Sequence, residues 1–174
     1  KNNPTVIFNR GGNKKHGRLT LKSLLFTTSM LASKGYVILA SNYRDNDQFG
    51  GSDVQDVLSL INIASEIEKI DTTRIGMFGW SRGGMMTYLA VKNSERIKTA
   101  VVGNGVSDMF LSAKERPKME LYVYAKYIPD YWNNKEIELR NRSVIYWSDQ
   151  LNQSTSFLLL SGSKDQRVNP IHSE

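Results

Sequence analysis

The segment Gly79-Trp80-Ser81-Arg82-Gly83 carries the residue types and spacing that could most directly do chemistry in this sequence. A G-x-S-x-G segment can place its serine on a sharp turn between a strand and a helix, so that the hydroxyl projects above a sheet and attacks a carbonyl carbon. The flanking glycines, Gly79 and Gly83, have no Cβ that would collide in so tight a turn. The pattern predicts a nucleophile at Ser81, and the alternative is a glycine-rich turn that holds an ordinary serine.

The helix expected to begin just after Ser81 adds a second chemical feature. The first N–H groups of a helix have no partner within it and carry partial positive charge. Such groups can stabilise the negative oxygen that forms when a hydroxyl attacks a carbonyl. We expect the backbone N–H of Arg82 to be one of these donors.

A nucleophilic serine needs a base to accept its proton, and the base needs a carboxylate that orients it. Asp165 is the best candidate for this acid, because it follows the apolar run at residues 157–160 by a short loop. It would leave the sheet at the same edge as Ser81, and it follows the serine in the chain order typical of this motif. The alternative is that Asp165 ends a turn or pairs with Arg167, and Asp108 is the reserve candidate for the acid.

The sequence contains two histidines, His16 and His172. Neither follows the acid by the further helix and strand that the chain order requires, because His172 comes too soon after Asp165. We interpret both histidines as exposed surface residues. The catalytic base is therefore expected outside these 174 residues.

Five short apolar runs are predicted to be the β-strands that position these residues. They lie at residues 5–8, 36–40, 74–78, 99–102 and 157–160. The runs at 36–40 and 157–160 do not alternate with polar residues, which is typical of interior strands covered by helices on both faces.

Between the strands, apolar residues recur at helical spacing. Helices are predicted at residues 19–33, after Ser81, and at 54–67, where Ser52 and Gln55 match a capping box. Strands that alternate with helices imply an α/β fold, with a mostly parallel sheet and helices on both faces. Such sheets carry their sites on loops beyond the carboxyl ends of the strands.

Length and composition narrow the function classes. A chain of 174 residues fits one domain, and a composition of 40% hydrophobic and 23% charged residues argues against a disordered chain. The absence of cysteine excludes thiolate catalysis and cysteine-ligated zinc. The net charge of +6 comes from scattered residues, and no apolar stretch approaches the length of a membrane helix, so neither a nucleic acid nor a membrane is an expected partner.

Two further segments have alternative interpretations. Residues 107–153 crowd tyrosine and tryptophan into a charged, weakly periodic stretch, and we expect irregular helices that pack in the core or cover the site. Acidic residues interrupt the basic groove that base stacking would need there. The loop at 44–48 has oxygen-bearing side chains but lacks the glycine and closing glutamate of a calcium loop, so we expect a solvated loop and no metal or other cofactor.

Four segments together resemble one protein family. The run DTTRIGMFGWSRGG at residues 71–84 resembles the nucleophile segment of the prolyl oligopeptidase (S9) family of serine peptidases, which are α/β-hydrolases. The segments that agree with it lie at residues 9–12, 43–57 and 162–168. The resemblance implies a peptidase that cleaves oligopeptides through an acyl-enzyme on Ser81, with Asp165 as the acid and a histidine a few dozen residues further on.

The resemblance also implies that the chain is an internal fragment, truncated at both ends. It would lack the first strands of the fold, the catalytic histidine, and the β-propeller domain that often precedes this domain in the family. The fragment is expected to be inactive by itself. The alternatives are a carboxylesterase of the same fold and a non-catalytic scaffold module.

The family's oxyanion side corresponds to the loop after the first strand. Several members place a tyrosine hydroxyl there, and Asn9 stands at that position in this sequence. The resemblance therefore implies that backbone N–H groups near Arg10, Gly11 and Gly12 form the oxyanion hole together with the N–H of Arg82.

The family's first specificity pocket follows the fourth strand. The resemblance assigns it to Val106, Met109 and Phe110, with Val168 on the opposite side. Members that cleave after proline line this pocket with a cluster of aromatic residues. Specificity for proline is therefore not expected here.

Overall fold

A five-stranded, fully parallel β-sheet is the framework of the protein, in a computed structural model that describes residues 2–174. Its strands are β1 (Asn3–Asn9), β2 (Val37–Ser41), β3 (Ile70–Trp80), β4 (Ile97–Gly103) and β5 (Ser156–Leu160). In space their order is β2-β1-β3-β4-β5. The α/β fold predicted from the sequence is confirmed, and each predicted strand is present.

Three helices connect the first four strands: α1 (Leu21–Ser33), α2 (Val54–Glu66) and α3 (Arg82–Lys92). Between β4 and β5 the chain forms α4 (Met109–Glu115), α5 (Pro117–Met119), a π-helical turn (Glu120–Tyr124), α6 (Ala125–Tyr127) and α7 (Tyr131–Asn141). Two 3-10 turns (Val144–Tyr146 and Ser148–Gln150) lead into β5, and a third (Pro170–Ser173) follows it. The aromatic segment is thus helical and irregular, as expected.

The direction of the strand connections reverses within the sheet. The connection through α1 moves from β1 to β2, whereas the connections through α2 and α3 move the other way, past β1 to β3 and β4. Since such crossovers are right-handed, α1 lies on the opposite face of the sheet from α2 and α3. A crevice opens at this kind of reversal, beyond the carboxyl ends of β1 and β3.

The core lies mainly between the sheet and the pair of helices α2 and α3, which contact each other. Every residue of α3 from Arg82 to Val91 is buried. Burial of a methionine or leucine side chain, such as Met86 or Leu89, contributes about 1.5–3 kcal/mol. The helix that follows Ser81 is therefore held firmly in place.

The sheet edges differ from the sequence prediction. The apolar runs of β2 and β5 were predicted as interior strands, but both are edge strands of the described sheet. The residues of β2 are half-buried, whereas Leu158, Leu159 and Leu160 of β5 are exposed. On α1, Phe26 is 92% exposed and Thr28 is the buried residue. Apolar sequence alone does not reveal whether a neighbouring element covers it. No helix among residues 2–174 combines the length and apolar character needed to cross a membrane.

The predicted capping box at Ser52 and Gln55 is wrong. The N-cap residue of α2 is Asp53, and its side chain makes no cap hydrogen bond. A capping box forms instead at α1, between Thr20 and Ser23. The Asp53 carboxylate instead pairs with Arg82, a residue of the site described next.

Candidate active site

The chain turns sharply at Ser81, between the end of β3 and the start of α3. Ser81 has φ 57° and ψ −122°, a conformation that costs a residue with a side chain about 1–3 kcal/mol. The Ser81 N–H donates to the carbonyl of Gly103 at 2.8 Å, and the Ser81 carbonyl accepts from the N–H of Gly84 at 2.9 Å. These bonds hold the strained turn, while the Ser81 hydroxyl has no hydrogen-bond partner among residues 2–174.

Close backbone approaches at Gly79 and Gly83 make this turn possible. A Cβ on Gly79 would lie 2.0 Å from the Gly83 carbonyl oxygen. A Cβ on Gly83 would lie 1.9 Å from the Asn9 carbonyl oxygen, at the end of β1. Both positions exclude a side chain, so the spacing of the two glycines follows directly from the geometry of the turn.

The loop after β1 packs against Ser81. A Cβ on Gly11 would lie 2.9 Å from the Trp80 carbonyl oxygen and 3.4 Å from the Ser81 Cβ. The Asn9 side chain points away from this contact: it is buried and donates to the Thr87 hydroxyl at 3.0 Å. Backbone groups of the loop, rather than the Asn9 amide, therefore lie beside the serine.

Arg10 gives this loop its shape. Its buried guanidinium donates to the carbonyl oxygens of Gly11, Lys14, His16 and Asn42 at 2.9–3.2 Å. A single side chain thus ties together carbonyl groups from two loops. The Arg10 side chain organises the oxyanion-side loop and does not line the cavity described below.

Asp165 lies in the loop that follows β5. Its Oδ1 accepts the N–H groups of Arg167 at 2.7 Å and Val168 at 3.1 Å, and its Oδ2 accepts from the side-chain amide of Asn104. Asn104 follows β4 in a left-handed conformation with φ 43°, and its oxygen accepts the Gly162 N–H at 3.2 Å. The carboxylate is therefore held in one orientation by donors from two loops.

A cavity of about 400 Å³ brings these segments together. Of the residues predicted from the sequence, it is lined by Ser81, Arg82, Gly11, Gly12, Asp165, Val106 and Val168. The lining residues that sequence reasoning missed include Phe49, Trp80, Ser112, Arg116, Met119 and Tyr124. The sequence-predicted serine and acid thus border one cavity, as expected for loops at the same sheet edge.

Comparison with known proteins decides the family. The sequence model of the prolyl oligopeptidase family matches residues 22–174. The chain belongs to the prolyl oligopeptidase family. The resemblance read from the four sequence segments is thereby confirmed.

Sequence alignments with individual members of the prolyl oligopeptidase family extend over almost the whole of this chain. The uncharacterized peptidase YtmA of Bacillus subtilis is 30% identical, over 96% of this chain and 65% of its own length. The acylamino-acid-releasing enzyme of Mus musculus is 26% identical, over 95% of this chain and 24% of its own length. The chain therefore spans just under two thirds of one relative and about a quarter of the other.

Solved structures of the family have the same fold. An acylaminoacyl peptidase in complex with Z-Gly-Gly-Phe-chloromethyl ketone superposes with a TM-score of 0.79 at 25% identity, over 99% of this chain and 29% of that one. A puromycin-hydrolyzing peptidase of Mycobacterium tuberculosis gives a TM-score of 0.81 at 25% identity, over 99% of this chain and 27% of that one.

Two residues of the predicted specificity pocket lie outside the cavity. Met109 begins α4 and is fully buried in the core, and the Phe110 ring packs edge-on against Tyr146 with ring centroids 5.6 Å apart. Asp108, the reserve candidate for the acid, caps α4 by accepting the Phe110 N–H at 2.8 Å. Because α4 begins at residue 109, these residues cap the helix, enter the core or contact Tyr146, and the sequence periodicity did not reveal that helix start.

The helical stretch at residues 109–124, between β4 and β5, contributes four residues to the wall of the cavity, namely Ser112, Arg116, Met119 and Tyr124. Tyr124 belongs to the π-helical turn, a feature that is frequent at functional sites. Its hydroxyl bonds the Ser112 hydroxyl at 2.7 Å, and its ring lies 5.2 Å from the Phe49 ring, centroid to centroid. Burial raises the pKa of Tyr124, so its hydroxyl stays protonated at neutral pH.

The two histidines have different surroundings. His16 is exposed, as predicted, and lines the cavity. The prediction of an exposed His172 is wrong: it is 4% exposed, and its Nδ1 accepts the N–H groups of Ser107 and Asp108 at 3.3 Å. Within residues 2–174, no hydrogen bond joins either histidine to Ser81 or Asp165.

The carboxylate of Asp47 is buried rather than solvated. The loop at residues 44–48 was expected to be solvated, but Asp47 is 4% exposed and pairs with the equally buried Arg82. Burial alone would raise the pKa of Asp47, but hydrogen bonds and charge from Arg82, with the N–H groups of Phe49 and Lys14, lower it. Burial alone would lower the pKa of Arg82, but Asp47 and Asp53 raise it. Both groups are therefore charged at neutral pH.

Proposed function

We propose that the protein is a serine peptidase that hydrolyses peptide bonds of oligopeptides, with Ser81 as its nucleophile. The observation that carries this proposal is the strained Ser81, which borders a cavity that Asp165 also lines and whose hydroxyl has no hydrogen-bond partner in the described residues 2–174. Membership of the prolyl oligopeptidase family supports the same reaction class. The strained backbone of Ser81 is explained if this residue must present its hydroxyl to a substrate.

In the proposed reaction, the Ser81 oxygen attacks the carbonyl carbon of the scissile bond while a base accepts the hydroxyl proton. The negative oxygen that results is stabilised by the backbone N–H of Arg82 and by N–H groups of the Gly11–Gly12 loop. The intermediate collapses when the C–N bond breaks and the base passes its proton to the leaving amine. Water then hydrolyses the acyl-enzyme by the same steps.

Asp165 is proposed as the acid that orients the base. Its three N–H donors hold the carboxylate in place, which suits a group that must aim an imidazole ring. Neither His16 nor His172 contacts it, so the proposal assigns the base to a histidine outside these 174 residues. The proposal accordingly expects no hydrolysis by this chain alone.

Substrates with a large apolar residue before the scissile bond fit the cavity best. The apolar and aromatic side chains of its wall are those of Phe49, Trp80, Val106, Met119, Tyr124 and Val168. The ligand named with one structural neighbour, Z-Gly-Gly-Phe-chloromethyl ketone, has a phenylalanine next to its reactive chloromethyl ketone. We propose short peptides with phenylalanine or leucine at this position, rather than proline.

The test uses the full-length polypeptide that contains this chain, with a fluorophosphonate that tags activated serines and a chromogenic peptide anilide ending in phenylalanine. Ser81→Ala should abolish tagging and lower kcat/KM by at least about 10⁴-fold, because the nucleophile is lost. Stability should change by less than about 1 kcal/mol, since the hydroxyl makes no hydrogen bond with any of residues 2–174.

Ser112→Ala is the matched control, because Ser112 lines the same cavity and bonds Tyr124 instead of lying on the turn. This variant should keep its tag. If Ser81→Ala retains turnover, or if the wild type takes no tag, the proposed function is wrong. Hydrolysis of aryl esters without hydrolysis of anilides would identify a carboxylesterase instead.

A further inference from the structure

The Arg82 side chain, next in the chain to the candidate nucleophile, is the centre of a buried charge cluster. Its two terminal nitrogens bond the two carboxylate oxygens of Asp47 at 2.6 Å each, and one of them also bonds Asp53 at 2.5 Å. The exposed fractions of these side chains are 2% for Arg82, 2% for Asp47 and 0% for Asp53. A buried charge is tolerated only when its partners are well placed, so this geometry is strongly specified.

Aromatic rings complete the surroundings of the guanidinium. The Arg82 Cζ lies 4.8 Å from the Tyr43 ring centroid and 4.6 Å from the Phe49 ring centroid. The Tyr43 hydroxyl in turn donates to the Arg10 carbonyl at 3.0 Å. Planar stacking and forked hydrogen bonding are properties of arginine that lysine lacks.

The cluster connects three separate segments around the cavity. One terminal nitrogen of Arg82 donates to the Gly12 carbonyl at 3.1 Å, in the loop after β1. Asp47 accepts the N–H of Phe49 at 2.8 Å, and Asp53 accepts the N–H groups of Gly50 and Gly51 at 3.0–3.2 Å. The turn at Ser81, the loop after β1 and the loop before α2 thus share one anchor.

The Arg82 side chain also contacts one of the two segments that form the proposed oxyanion hole. The two sets of proposed donors are the backbone N–H of Arg82 and the N–H groups of the Gly11–Gly12 loop. The Arg82 side chain bonds the carbonyl of that same loop. One residue therefore supplies a donor through its backbone and fixes the second donor segment through its side chain.

We propose that Arg82, through its bonds to Asp47, Asp53 and the Gly12 carbonyl, is a positioning residue that sets the distance between the two halves of the oxyanion hole. This inference rests on the proposed function. Donors aimed at the developing oxyanion act on the transition state more than on the bound substrate. Loosening the cluster should therefore lower kcat and the tagging rate while KM changes little.

The experiment compares Arg82→Lys, which keeps the charge but loses the fork, with Asp47→Asn, which removes one carboxylate charge. Both variants are made in the full-length polypeptide and assayed for kcat, KM, fluorophosphonate tagging rate and thermal unfolding. We expect kcat to fall about 10- to 100-fold in each, with KM within about threefold of wild type.

Asp56→Asn is the matched control. Asp56 forms an ion pair with Arg44 at 2.7 Å across the same loop and helix, but this pair is partly exposed and lies outside the cavity lining. Its loss should leave kcat, KM and tagging unchanged. A fall in kcat in the cluster variants and not in Asp56→Asn would support the positioning role.

A purely stabilising cluster would behave differently. In that case the two variants would unfold at lower temperature, yet their folded fraction would retain wild-type kcat and tagging, and this result would overturn the proposal. An increase confined to KM would overturn it too. If Arg82→Lys does not fold, Asp47→Asn decides, because asparagine keeps the size of the side chain and an acceptor oxygen. Wild-type tagging that Ser81→Ala abolishes keeps the proposed function intact whichever way these variants behave.

Discussion

Ser81 and Arg82 are neighbours in the chain with opposite surroundings. The Ser81 side chain borders the cavity and has no hydrogen-bond partner within residues 2–174, whereas the Arg82 side chain is buried among Asp47, Asp53 and two aromatic rings. A sharp turn allows this, because consecutive side chains leave it in different directions. The G-x-S-x-G pattern predicted a role for the Ser81 hydroxyl and for the Arg82 backbone N–H, but it carried no information about the burial of the Arg82 side chain.

The buried imidazole of His172 predicts a pH dependence of stability that can be tested on this single residue. Burial lowers the pKa of its imidazole, against the weaker raising effects of Glu115 and Asp108. Because the folded state favours the neutral ring, the contribution of this residue to stability is fully present above a pH of about 6.5 and is lost as the pH falls towards the lowered pKa.

We therefore expect the free energy of unfolding of the wild type to fall, relative to that of His172→Gln, between pH 7 and pH 5. Glutamine does not titrate, and its side-chain oxygen can accept the N–H groups that Nδ1 accepts. Urea unfolding at several pH values measures the difference. Parallel stability curves for the two proteins would contradict the buried neutral imidazole.

At the scale of elements, α3 approaches β1 so closely that only a hydrogen fits at Gly83. The same helix is buried along its length and packs on α2, β3 and β4. The turn before it thus cannot relax by moving α3. Packing along the whole of α3 maintains the strained conformation of Ser81. The local motif therefore predicted the position of the turn, but it could not predict the helix packing that stabilises it.

Gly83→Ala tests this contact. The added Cβ would lie 1.9 Å from the Asn9 carbonyl oxygen, so α3 and β1 must separate, and we expect a loss of about 3 kcal/mol in the free energy of unfolding. Chemical denaturation measures the loss.

Gly162→Ala serves as the control, since its nearest neighbour, the Asn104 amide nitrogen, would be 4.0 Å from the new Cβ. It should change stability by less than about 0.5 kcal/mol. Equal effects at the two glycines would show that α3 does not pack against β1 as closely as described.

At the scale of the whole molecule, apolar surface is distributed unevenly. The α2–α3 face of the sheet is well covered, whereas α1 exposes Leu21, Leu25, Phe26 and Met30. The β5 edge exposes three consecutive leucines. Contiguous apolar surface and an open strand edge favour association between molecules.

The isolated 174-residue chain is therefore expected to bind the dye ANS and to self-associate. Phe26→Glu should reduce both, without loss of stability, because the Phe26 side chain is 92% exposed. Lys22→Glu is the control, since it adds negative charge on the same helix without removing apolar surface. Light scattering and ANS fluorescence measure the effect, and equal behaviour of the two variants would show that charge, not the apolar face, controls association.

Signals within short windows were sufficient for the α/β fold, the strand order along the chain and the turn at Ser81. Helical and strand periodicities, and glycines spaced to fit one turn, are local consequences of backbone geometry. Asp165 was also placed correctly beside the cavity, because the carboxyl ends of parallel strands meet at one edge. These features needed no knowledge of distant contacts.

Tertiary structure alone decided the rest. The pairing of Arg82 with Asp47, the burial of His172, the exposure of β5 and the cavity wall at Tyr124 all depend on segments far apart in the chain. The same residue types form exposed loops, surface ions or core in other settings, because burial is a property of neighbours brought together by folding. An arginine and an aspartate can each be read as solvated until packing removes the water around both.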